Sequence, residues 1–104
     1  MDTSTANTHD AEQARRERAT ELSAEQGENW VDQCRPGSFA CHELLDRTSL
    51  VADTLEQYVL SHPACVARAE WYALADQATT ALRELYQRIG AAHLDADSST
   101  EKSL

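Results

Sequence analysis

Only three glycines, two prolines, one phenylalanine and a single lysine, Lys102, are found in 104 residues. So little glycine and proline leaves few places to turn, which argues against many short strands and for a few long helices. The same scarcity excludes the glycine-rich phosphate loops of nucleotide-binding folds, and no G-x-S-x-G nucleophile turn occurs. One lysine and a net charge of -9 exclude ordinary nucleic-acid binding, which draws its affinity from clusters of Lys and Arg on phosphates. That acidity admits a different role, an acidic nucleic-acid mimic that occupies a basic surface on a partner. No apolar run approaches the roughly 20 residues of a membrane span. The N-terminal stretch MDTSTANTHDAEQ has neither the basic nor the apolar region of a signal peptide, so a cytoplasmic protein away from membranes is expected.

Cysteine is also sparse. Cys34, Cys41 and Cys65 are an odd number and are expected as reduced thiols. Their spacing matches no paired C-x2-C zinc pattern.

What is present is helical periodicity. Residues 1–36 read as a flexible or marginally helical segment: nine small polar residues, then DAEQARRERATELSAEQ from Asp10 to Gln26, rich in helix formers with Asp10 as the expected cap. Its one large aliphatic residue is Leu22, so it lacks a face to dock. Gly27 ends it, and Trp30 and Val31 are expected to lie on the main domain. The core is expected in residues 37–94. Pro36-Gly37 forms a turn, Ser38 caps a helix to about Leu60, and Cys41, Leu45, Thr48, Ala52, Leu55 and Val59 form one stripe, with Leu44, Val51 and Tyr58 beside it. Ser61-His62-Pro63 breaks that helix. A second stripe of Trp71, Ala75, Ala78, Leu82, Leu85 and Ile89 ends at Gly90, the expected cap residue. Residues 95–104 are expected as a disordered tail. The expected fold is therefore all-α, an antiparallel helical hairpin with a marginal N-terminal helix. A hairpin of this size buries too little surface to stand alone, which favours a homodimer closing a four-helix bundle.

The run His42-Glu43-Leu44-Leu45-Asp46 resembles in spacing the helix of a zinc hydrolase, with ligands at i and i+4 and a glutamate after the first. A third ligand and a cleft are lacking in a chain with so little packable helix, so catalysis is not expected. His42, Asp46, Ser49, Asp53 and Glu56 do share one band of the helix, counting about 100° per residue. The band is read chiefly as a solvated face. The alternative is a divalent-metal site of His42, Asp46 and Asp53, although the Glu-x-x-His signature of di-iron bundles is absent. Phe39 and Leu50 are large apolar residues off the stripe. Together, Phe39, His42, Asp46, Leu50, Asp53 and Glu56 make the candidate binding face for another protein, and the chain reads as a small acidic module of the inhibitor, immunity or regulatory-adaptor type, with no cofactor.

Overall fold

The computed structural model describes the backbone of residues 3–103 and the side chains of residues 10–96. The chain is all-α, and no strand occurs among the described residues. It divides into two compact units, Met1–Gln33 and Cys34–Leu104.

The first unit is built on α1, Thr3–Gln26. The helix starts upstream of Asp10, so Asp10 is an interior residue and not the cap its position suggests. Local ion pairs run along α1: Glu12 holds Arg15 at 2.7 Å and Arg16 at 3.0 Å, and Arg18 reaches Glu21 at 2.8 Å and Glu25 at 3.6 Å. The pairs three and four residues apart stabilise a helix without tertiary contacts. Gly27 adopts φ +93°, where an L side chain is strained, and its N–H donates to the Ser23 carbonyl, closing the helix. A 3₁₀ segment, Glu28–Cys34, follows. Trp30 and Val31, expected on the main domain, belong instead to this unit, and the Trp30 indole N–H donates to Ser23 Oγ at 3.0 Å. Helical backbone from Thr3 onward covers most of residues 1–9, expected as flexible, whose side chains are outside the described ones.

In the second unit Gly37 takes φ +90° and turns the chain into Ser38, whose Oγ accepts from the Cys41 N–H at 3.1 Å. This cap opens α2, Phe39–Leu55. The helix continues into a π turn, Glu56–Leu60, closed by the Ser61 N–H and Oγ both donating to the Glu56 carbonyl. Pro63 then ends the run as expected: His62 is extended, its Nδ1 accepts from the Ala64 N–H, and Pro63 occupies the first turn of the short helix α3, Pro63–Val66. From Ala69 the chain forms α4, Ala69–Ser103.

Gly90 does not end α4. Two alanines follow it and carry the helix on, and no left-handed conformation is adopted there. Helical backbone covers most of the expected disordered tail, residues 95–104, whose side chains from 97 onward are outside the described ones.

α2 and α4 pack against each other. The contacts pair Gly37 with His93, Leu45 with Gly90, and Asp53 and Glu56 with Arg83, so positions fall along α4 as they rise along α2. Between them Ala52 is fully buried, and Thr48, Thr79 and His93 are nearly so. Both threonines satisfy their hydroxyls within their own helix, Thr48 to the Leu44 carbonyl and Thr79 to that of Ala75. Small side chains at these points let the helix backbones approach closely. The buried line of α4 therefore runs through Thr79 and His93, with the half-buried Ala75, Leu82 and Ile89 along it. Trp71, Ala78 and Leu85, expected on that line, are exposed, and so is Val59 at the end of the α2 stripe. The stripe was displaced because apolar character alone ranks alanine and leucine above threonine and histidine. Among the described residues no large side chain is fully buried.

Candidate functional site

The six residues of the candidate binding face are all exposed. Phe39 and Leu50 are 79% and 66% accessible, on the side of α2 turned away from α4. They stand eleven residues apart, about three turns, so one extended partner segment or one helix face spans both. His42 and Asp46 sit one turn apart beside them, with His42 Nε2 3.5 Å from Asp46 Oδ2.

Asp53 and Glu56 behave differently. Arg83 of α4 lies between them, 3.1 Å from Asp53 Oδ1 and closer still to Glu56 Oε2. Hydrogen bonds to Glu56 first and Asp53 second raise the Arg83 pKa above the ordinary guanidinium value. The acidic band is thus divided: its C-terminal half is partly neutralised against α4, while Asp46 remains beside Phe39 and Leu50.

The division also bears on the metal alternative. His42 and Asp46 are adjacent, but Asp53 is drawn to Arg83, and among the described residues no three His, Cys, Asp or Glu side chains converge as a cation site. Cys34, Cys41 and Cys65 are free thiols.

At the other end of the α2 and α4 contact the sequence pattern undervalued one residue. His93 is buried, its Nδ1 accepts the Gly37 N–H at 2.9 Å, and its ring centroid lies 5.7 Å from that of His42. Accepting at Nδ1 requires a lone pair there, so the neutral ring carries its proton on Nε2. The bond fastens the turn before α2 to the late turns of α4. A cavity of about 620 Å³ opens beside the two histidines, bordered by Leu45, Tyr86, Gln87 and Leu94. The signal for His93 lay in its spacing, three residues after Gly90 and seven after Tyr86, once the helix is allowed to pass the glycine.

His93 is occupied in a structural hydrogen bond, and His42 faces a carboxylate without a nucleophile between them. No protein-family model, curated protein or solved structure matches the chain.

Proposed function

We propose that the protein is a small acidic helical module that binds another protein through the outer face of α2, in the manner of an inhibitor, immunity protein or regulatory adaptor. The observation that carries this reading is the exposure of Phe39 and Leu50 on the side of α2 opposite α4. Large apolar side chains so placed contribute little to the chain's own packing and supply the burial that anchors an interface. His42 and Asp46 border them, and the net charge of -9 steers the encounter toward a basic partner surface. Asp53 and Glu56 contribute at the margin, since Arg83 already offsets their charge. The frame for this face is an antiparallel hairpin of α2 and α4, and two hairpins from two copies make a homodimeric four-helix bundle.

The test compares the wild-type chain with Phe39→Ala/Leu50→Ala, each purified from the native host with whatever polypeptide accompanies it. The expected result is a partner retained by the wild type and bound roughly tenfold or more weakly by the double variant, with unchanged far-UV circular dichroism. A partner held equally by both contradicts the reading. Loss of helicity in the double variant would place the two side chains in the fold instead.

A further inference from the structure

We infer that a second copy of this chain docks on the side of the hairpin opposite the Arg83 clamp, against Leu44, Val51 and Tyr58 of the first helical run and Leu74 and Leu85 of α4. This rests on the bundle reading above and assigns the face that closes the bundle. At about 100° per residue, Asp53 and Glu56 lie to one side of the buried line of α2, and Leu44, Val51 and Tyr58 lie to the other. On α4 Arg83 lies to one side of its buried line and Leu74, Ala78, Ala81 and Leu85 to the other. Arg83 bonds to Asp53 and Glu56, which fixes the first pair of flanks together on one face of the hairpin. The apolar flanks must then share the opposite face.

That face is left open by the single chain. Its five large side chains are between 44% and 65% exposed. Half-exposed side chains of this size offer on the order of 500 Å² together. Ala78, Ala81 and the exposed Trp71 extend this toward the ~800 Å² that each partner contributes to a standard interface. The two alanines leave space between Leu74 and Leu85 for a large side chain from the facing helix. At the connection end the surface continues into a hollow of about 330 Å³ lined by Tyr58, Val59, Cys65, Trp71 and Ala75.

Charge and composition identify the occupant. Copies that each carry -9 repel unless they meet where the excess is absent. The face is bordered by two ion pairs, Glu43 with Arg47 along α2 and Glu84 with Arg88 along α4, each with no net charge. At its end Arg68, stacked 4.9 Å over the Trp71 ring, and Glu70 again add one charge of each sign. A like copy therefore approaches here without opposing charge. Within the chain, α1 has Leu22 as its one large aliphatic side chain and offers no matching surface. A second hairpin carries the same rows of leucine, valine and alanine, and so the same kind of surface.

The experiment is light scattering on the full chain across a wide range of concentration. It includes Leu74→Ala, Leu85→Ala and Leu74→Glu, with Phe39→Glu on the other side of α2 as the control. The expected wild-type mass is twice 11.5 kDa. Each alanine variant should raise the dissociation constant about tenfold or more, since burying a leucine contributes that much to association. Leu74→Glu should be monomeric, and Phe39→Glu should remain a dimer. Should the glutamate variant fail to fold, the two alanine variants decide the matter. A monomeric wild type overturns both the bundle and this face. A wild-type dimer that the Leu74 and Leu85 variants leave unchanged, or that Phe39→Glu dissociates, overturns the face alone.

Discussion

α1 and α4 are both long helices, yet they are helical for different reasons. In α1 the ion pairs are local and lie three, four or seven residues apart: Glu12 with Arg15 and Arg16, Arg18 with Glu21 and Glu25. In α4 the decisive residues are Ala75, Thr79, Leu82 and His93, spaced to meet α2. The first kind of helix is set by its own sequence and by solvent conditions. The second is set by packing against α2, and Leu74, Leu85 and Trp71 stay exposed beside the contact. Regular secondary structure is thus no guide to which part of a chain is held by local charge pairs and which by packing.

The strongest perturbation of this contrast is Ala52→Leu. Ala52 is fully buried where α2 meets α4, so three further carbons force the helices apart. A loss of about 1–3 kcal/mol is expected. Thermal unfolding should show it, while the Cα chemical shifts of residues 10–26 stay unchanged. A shift confined to α1 would break the comparison.

A smaller effect of opposite sign is expected at Gly90. A methyl group there meets Leu45 Cδ1 at 3.7 Å, an ordinary contact, within continuous helix. Gly90→Ala should therefore stabilise the second unit by about 0.5–1 kcal/mol. Destabilisation would mean that the glycine ends the helix after all.

The smallest effect is electrostatic and belongs to α1. Hydrogen bonds from Arg15 and then Arg16 hold the Glu12 carboxyl down at about 2, below its ordinary value of 4.5. A depressed carboxylate pKa stabilises the helix fully above the ordinary value, and that stabilisation is lost as pH falls through the lowered one. Helical Cα shifts in α1 should therefore weaken between about pH 4.5 and 2, and in Glu12→Gln that change should be smaller around residues 12–16. High salt should mimic it, since the Debye length at 1 M is about 3 Å.

Much of this architecture is legible in the sequence because it depends on local chemistry. Ser38 caps, Gly27 terminates and Pro63 breaks through the backbone and side-chain properties of those residues alone. The exposed positions of Phe39, His42, Asp46 and Leu50 follow from the helical period. What escapes the pattern is tertiary. A glycine caps only where the chain turns left-handed, and the alanines after Gly90 keep it helical, which hides His93 and its bond to Gly37. Thr48 and Thr79 reach the interior because their own helices satisfy their hydroxyls. The split of the acidic band was likewise invisible, because Arg83 is some thirty residues from Asp53 and meets it only when α2 and α4 pair.

The measurement that bears most directly on the central claim is the melting temperature of the full chain as a function of its own concentration. In the proposed bundle a second copy completes a core in which Ala52 alone is fully buried among the described apolar side chains, so folding and association would be linked by mass action. The account predicts a melting temperature that rises steadily with concentration. A transition at the same temperature throughout, with a mass of 11.5 kDa, would contradict it.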